Sequence, residues 1–156
     1  MKEKKIVTLP NDVLIPQIKK IIDEGHTVTF RVRGYSMRPF LEDRRDNVIL
    51  SPCQGTVRRG DLLLVEDRAS HYVLHRIIRV EGTTITLKGD GNVKGTETCQ
   101  RNDVIAIATA FQRKGRTTIE TTQGWKWRTY SYIWMNTQPL RRIILALHRR
   151  LFVHKP

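Results

Sequence analysis

The sequence is poor in cysteine, and this limits the kinds of site that the chain can build. It has only two cysteines, Cys53 and Cys99, among 156 residues. Two cysteines cannot form a zinc site by themselves, and their separation fits no C-x-x-C motif. One disulfide would need both, but we expect free thiols in a reducing compartment. We accordingly predict neither a metal ion nor an organic cofactor.

Long apolar runs are also missing. No segment approaches the roughly 20 consecutive apolar residues that a membrane-spanning helix needs. Residues 1–7 include three lysines, but no apolar stretch of about 7–15 residues follows them, as it would in a secretory signal. These absences predict a protein that is made and kept in the cytoplasm.

Acidic residues are missing from the C-terminal part of the chain. Residues 121–156 contain seven lysines and arginines and no aspartate or glutamate, within a net charge of +13 for the whole chain. A chain of this length suffices for one ordinary domain. The shift in composition predicts a single domain over residues 1–120 and a basic helical extension over residues 121–156.

The spacing of apolar residues predicts a mainly β domain that starts with one helix. Residues 11–24 carry apolar side chains at helical spacing, and Gly25 supplies a stop. Short alternating or apolar runs, separated by glycine-containing turns, predict the strands. These strands cover residues 27–33, 46–51, 61–66, 71–81, 83–88 and 103–112.

The end of the chain predicts a basic amphipathic helix. Its apolar residues fall at helical spacing, with most arginines off the stripe they form. The stripe consists of Leu140, Ile143, Ile144, Leu147 and Leu151. Two interpretations remain open: the stripe packs on its own domain, or residues 139–153 bind an anionic membrane surface or an acidic partner. Nucleic acid is the least favoured partner because no recognised binding module is visible.

One serine lies where a nucleophile could be held rigidly. The predicted strand 27–33 alternates apolar and polar residues, and Gly34 then allows the chain to turn before Ser36. Met37 can anchor the turn in the core, while Pro39 restricts the backbone. A serine needs a base to take its proton, and a neutral imidazole is suited to this near pH 7.

His75, in the predicted strand 71–81, is the candidate base, and Asp90 and Glu97 are the candidate acids beyond it. An acid that accepts a hydrogen bond from the imidazole would fix its tautomer. Asp90 lies in the turn Gly89-Asp90-Gly91-Asn92, and Glu97 follows it. The backbone N–H of Ser36 is the best candidate donor for an oxyanion hole.

Four short blocks now stand in one order along the chain. They are Gly34-x-Ser36-Met37-x-Pro39, Arg59-Gly60-Asp61, His75-Arg76 and Gly89-Asp90-Gly91-Asn92. Over residues 11–110 this order resembles the signal-peptidase type of serine peptidase, within the signal peptidase I and LexA-like superfamily. It is similar to the branch in which a histidine replaces the general-base lysine, although the membrane anchor of those enzymes is not visible.

The resemblance implies a coiled β-sheet domain and a serine endopeptidase that cleaves a leader or precursor peptide after small residues. It implies Ser36 as nucleophile and His75 as base, and it places Asp90 beside the active site. Asp90 is therefore our first choice for the acid on His75, Glu97 the second, and a Ser-His dyad the third. Lys88 is expected to be structural. The alternative function is a LexA-like regulatory or binding module without peptidase activity.

Overall fold

A computed structural model describes residues 9–137 and 140–153, with side chains described up to residue 151. Pro139 and the side chains of Phe152 and Val153, which belong to the predicted membrane-binding segment, lie outside the described set. The helices are α1 (Asn11–Asp23), α2 (Trp125–Asn136) and α3 (Arg141–His148), the last followed by a π-helical turn (Arg149–Val153). The strands are β1 (Val28–Arg31), β2 (Asn47–Ser51), β3 (Leu62–Glu66), β4 (Tyr72–Glu81), β5 (Thr84–Lys88), β6 (Glu97–Gln100), β7 (Val104–Gln112) and β8 (Ile119–Thr121).

Helix α1 matches the predicted helix closely. It begins directly after Pro10, and Pro16 is accommodated inside it. It ends where Gly25 adopts a φ of +86°, a left-handed conformation that costs glycine little. Ile15, Ile18 and Ile22 form its buried face, while Ile21 is 38% exposed.

The eight strands form one antiparallel sheet in the order β1-β2-β7-β3-β4-β5-β6, with β8 paired to β7. Register shifts interrupt the ladders at Ile49/Leu50, Leu64/Val65 and Ile77/Arg79. Such bulges increase local twist, and the sheet curls into a half-barrel. The predicted mainly β fold with a short N-terminal helix and a C-terminal helix is confirmed. Strands β6 and β8 were not predicted, because they have only four and three residues and show no clear alternation.

The hydrophobic core lies on both faces of the curled sheet. One cluster joins α1 to Leu62, Leu64 and Phe111, and a second cluster contains Leu63, Val65 and Ile77. Alternate residues of a strand point to opposite faces, so the apolar run of β3 supplies both clusters. The central strands β3 and β4 are consequently rigid supports for side chains on either face.

The two C-terminal helices differ in how they pack. Trp127 of α2 belongs to the first core cluster, and its ring centroid lies 4.7 Å from that of Phe40 and 5.0 Å from that of Phe111. Of the described α3 side chains, only Arg141 is buried. The predicted boundary after residue 120 falls inside β8, and α2 shares the core of the sheet. Among the described residues, no helix has the length and apolar character needed to cross a membrane.

Candidate active site

Ser36 lies on a turn that is fixed from both sides. Gly34 adopts a φ of +94°, and its N–H donates to Asp43 Oδ1 at 2.7 Å. Met37 is 5% exposed, and its carbonyl accepts a hydrogen bond from the Leu41 N–H at 2.9 Å. The half-buried Ser36 thus stands between a glycine hinge and a buried anchor, as the sequence predicted.

A buried carboxylate closes the loop that carries this turn. Asp46 is fully buried and accepts hydrogen bonds from the Glu42 N–H at 3.0 Å, from Arg45 at 2.7 Å and from Arg113 at 2.8 Å. Burial acts to raise the pKa of Asp46, but the hydrogen bonds from Arg45 and Glu42 and the charge of Arg113 outweigh it and lower the pKa. The ionised carboxylate therefore ties the end of the loop to β7, since Arg113 also donates to the Phe40 carbonyl.

Gly89 is the point at which the serine turn meets the imidazole. The Gly91 N–H donates to the Ser36 carbonyl oxygen at 2.7 Å. A Cβ atom added to Gly89 would lie 2.5 Å from that carbonyl oxygen and 3.0 Å from His75 Nε2. The first distance is too short for any side chain and the second is very tight, so a larger residue at this position would push the two groups apart. The fold thus places the Ser36 turn and the His75 imidazole on either side of Gly89.

His75 is held by the sheet and by one acid. It pairs with Leu63 of β3 and is 4% exposed. Its Nδ1 lies 2.9 Å from Oε2 of Glu97, the first residue of β6. In the neutral ring, an Nδ1–H that donates to the carboxylate leaves Nε2 as the acceptor. The nitrogen that faces the serine turn is then the one that can take a proton.

The two candidate catalytic side chains are close but not bonded. Among the residues that the structure describes, Ser36 Oγ makes no hydrogen bond to His75. In free enzymes such bonds are often long and tighten when substrate binds. The two residues line the same cleft.

The preference for Asp90 as the acid on His75 is wrong. Asp90 is 1% exposed and forms a bidentate ion pair with Arg76, with Oδ1 2.8 Å from Nε and Oδ2 2.6 Å from Nη2. His75 and Arg76 are consecutive on β4 and point to opposite faces. Each therefore meets a different acid, and Glu97 is the one that orients His75.

Arg76 links the turns at Gly60 and Asp90 to helix α2, a role that was not predicted from the sequence. It is 1% exposed, and its Nη1 donates to the Gly60 carbonyl at 3.1 Å and to Ser131 Oγ at 2.6 Å. Its guanidinium carbon lies 4.5 Å from the centre of the Trp127 ring. The available signal was an arginine within an apolar strand run, since a buried arginine needs fixed partners.

Lys88 occupies a structural position, as expected. It pairs in register with Arg76, so both project to the face opposite His75. Its Nζ donates to the Val93 carbonyl at 3.1 Å, which holds the loop after Asp90. Burial, followed by the charge of Arg141, lowers the pKa of Lys88.

A small cleft opens beside Ser36 and His75. It has a volume of about 130 Å³ and is lined by Val32, Met37, Leu74 and both candidate catalytic residues, among others. On β4, pairing with β5 starts only at Arg76. Within the described part of the chain, no strand pairs with Tyr72–His75 on that side. The cleft thus lies next to an open stretch of sheet edge.

Within the described ranges, no group of three or more histidine, cysteine, aspartate or glutamate side chains could hold a metal ion. Cys53 and Cys99 are both free thiols. No family model matches the chain, and no curated protein is significantly similar to it.

Proposed function

We propose that this protein is a serine endopeptidase of signal-peptidase type that cleaves a leader or precursor peptide after small residues. The observation that carries the proposal is that the Ser36 turn and His75 meet at Gly89. A Cβ atom added to this glycine would lie 2.5 Å from the Ser36 carbonyl oxygen and 3.0 Å from His75 Nε2. The 2.9 Å contact between His75 Nδ1 and Glu97 Oε2 adds an acid that can orient the imidazole. Glu97, His75 and Ser36 would then act as the acid, base and nucleophile of a serine peptidase.

In the proposed mechanism, His75 Nε2 takes the proton of Ser36 Oγ as this oxygen attacks the scissile carbonyl carbon. A C–O bond forms, and the π electrons of the carbonyl move onto its oxygen. Collapse of this intermediate breaks the C–N bond, and His75 gives its proton to the leaving amine. Water, deprotonated by His75, then hydrolyses the acyl ester and restores Ser36. Glu97 stabilises the imidazolium and keeps its orientation.

The surroundings of the site support a peptide substrate. Within the described residues, the Ser36 N–H donates to no other group, which supports it as an oxyanion donor. An extended peptide could add its backbone to the open edge at Tyr72–His75. The adjoining cleft, at about 130 Å³, suits a small side chain before the scissile bond.

We place this activity in the cytoplasm, where the substrates would be leader or precursor peptides. The free thiols of Cys53 and Cys99 support a reducing compartment. Burial, followed by the charge of Asp103, raises the pKa of the Cys99 thiol to about 11, which keeps this buried thiol unreactive near neutral pH.

The test is labelling by a fluorophosphonate probe, combined with cleavage of a peptide library. We expect one label per chain on Ser36, none in Ser36→Ala, and much less in His75→Ala. Ser36→Ala and His75→Ala should each remove nearly all cleavage, and the double variant should lose little more, because nucleophile and base act as a unit. Wild-type rates in His75→Ala would overturn the assignment.

A further inference from the structure

The outer side of α3 exposes a line of large apolar side chains. Their exposed fractions are 52% for Leu140, 58% for Ile143, 52% for Leu147 and 64% for Leu151. Their spacing of three or four residues places them on one face of the helix. We call these four residues the outer stripe. Of the five residues in the stripe predicted from the sequence, these four are exposed and Ile144 is half-buried, so most of that stripe does not pack on the domain.

Arg141, the first residue of α3, anchors the helix to the domain. Arg141 is 2% exposed, its Nη2 donates to the Trp134 carbonyl at 3.4 Å, and its guanidinium carbon lies 5.1 Å from the centre of the Trp134 ring. Arg141 is thus buried at the start of the helix, while the outer stripe stays exposed. Because it is buried, Arg141 cannot contact a binding partner.

The charge beside the outer stripe has one sign. Arg142, Arg149 and Arg150 are exposed, and residues 121–156 contain no carboxylate. Arg142 and Arg149 also line a groove of about 460 Å³ together with Lys94, which belongs to the same loop as Asp90. A helix that combines this apolar face with exposed arginines and no acidic residue is complementary to a surface that offers both hydrocarbon and negative charge.

We propose that the outer stripe and these three arginines bind the surface of an anionic lipid bilayer. The helix would lie in the interface, with Leu140, Ile143, Leu147 and Leu151 inserted among the acyl chains and the arginines among the phosphates. Attachment would be peripheral and reversible, because α3 is too short to span the bilayer. The proposal does not depend on the peptidase activity.

The experiment is co-sedimentation of the full chain with phosphatidylcholine vesicles that do or do not contain phosphatidylglycerol. We expect binding to the anionic vesicles at low salt, and loss of most of it at high salt because exposed charges are screened. Replacing Ile143 and Leu147 by serine should lower the partition coefficient about tenfold or more. Replacing Arg149 and Arg150 by glutamine should lower it about fivefold for each charge.

Matched substitutions elsewhere control for general effects of charge and hydrophobicity. Arg79→Gln with Arg116→Gln removes two exposed arginines from other surfaces, and Val13→Ser removes an apolar side chain that is 47% exposed. These variants should bind as the wild type does. The proposal is overturned if the wild type does not bind anionic vesicles, or if the control variants lose as much binding as the α3 variants. A wild-type dimer in light scattering that becomes monomeric in Ile143→Ser/Leu147→Ser would likewise overturn it, since a second copy would then cover the stripe.

Discussion

His75 and Arg76 are neighbours in the chain, yet they point to opposite faces of β4 and serve different purposes. On one face, His75 meets Glu97, whose side chain is 22% exposed. On the other face, Arg76 and Asp90 form an ion pair in which each side chain is 1% exposed. Removing one member of such a buried pair leaves an uncompensated charge, which costs about 3–5 kcal/mol. The two acids should therefore respond differently to loss of their charge.

Replacing Glu97 and Asp90 by the corresponding amides distinguishes an acid that orients His75 from an acid that stabilises the fold. Glu97→Gln should slow peptide cleavage by at least about tenfold, because the imidazolium loses its partner, while the melting temperature changes little. Asp90→Asn should lower the free energy of unfolding by about 3–5 kcal/mol. Initial rates and thermal melts of both variants test this, with cleavage measured well below the melting temperature.

A conservative exchange provides the control for the acid on His75. Glu97→Asp keeps the charge and should recover part of the rate lost in Glu97→Gln. Full activity in Glu97→Gln would contradict the orienting role and leave a Ser-His dyad. An unchanged melting temperature in Asp90→Asn would show that the ion pair with Arg76 does not stabilise the fold.

At the scale of elements, the loop between β5 and β6 contacts the Ser36 turn, His75 and Arg76. Its glycines have different constraints. Gly89 is packed against the Ser36 carbonyl and His75 Nε2, whereas Gly95 has a φ of +86° and nothing within 4 Å of the position of an added Cβ. Gly89 has no room for a side chain because of the groups packed against it. Gly95 has room, but its left-handed backbone conformation disfavours other residues.

Alanine substitutions at these two glycines test whether the close approach at Gly89 is what aligns the site. Gly89→Ala should abolish most cleavage, because the new methyl group must push the serine turn away from His75. Gly95→Ala should cost about 1–2 kcal/mol of stability for its left-handed backbone and keep its activity. Equal loss of activity in both variants, at matched folded fractions, would contradict this explanation.

At the scale of the whole molecule, an aromatic cluster joins the C-terminal part of the chain to the domain. Trp127 lies against Phe40, which follows the serine turn, and against Phe111 of β7. Tyr130 reaches Asp90 with its hydroxyl at 3.3 Å, and burial, followed by the charge of Asp90, raises the pKa of Tyr130 well above its usual range. Helix α2 is thus part of the structure that supports the site, whereas α3 lies at its margin.

Trp127→Ala and Ile143→Ser should show this difference in stability. The first removes a core side chain that is 7% exposed and should lower the free energy of unfolding by about 3–5 kcal/mol. The second changes a side chain that is 58% exposed and should stay within about 0.5 kcal/mol of the wild type. Urea unfolding of both variants measures this, and a large loss for Ile143→Ser would mean that the outer stripe is packed.

Much of the fold was determined by the sequence alone. The ends of α1 and of six strands were predicted to within about two residues, because glycine turns and local periodicity act over a few neighbouring residues. The placement of Ser36 after a glycine hinge was predicted for the same reason. The existence of a basic amphipathic helix at the end of the chain also follows from spacing alone.

Only the tertiary structure decided which groups meet. The choice of Glu97 over Asp90 depends on the register of β4, since a shift of one residue would exchange the faces of His75 and Arg76. The exposure of the outer stripe and the burial of Arg141 against Trp134 are likewise visible only in the folded structure. The closeness of Ser36 and His75 depends on a loop more than ten residues from either of them in sequence. Such contacts join distant segments, and no local pattern of residues encodes them.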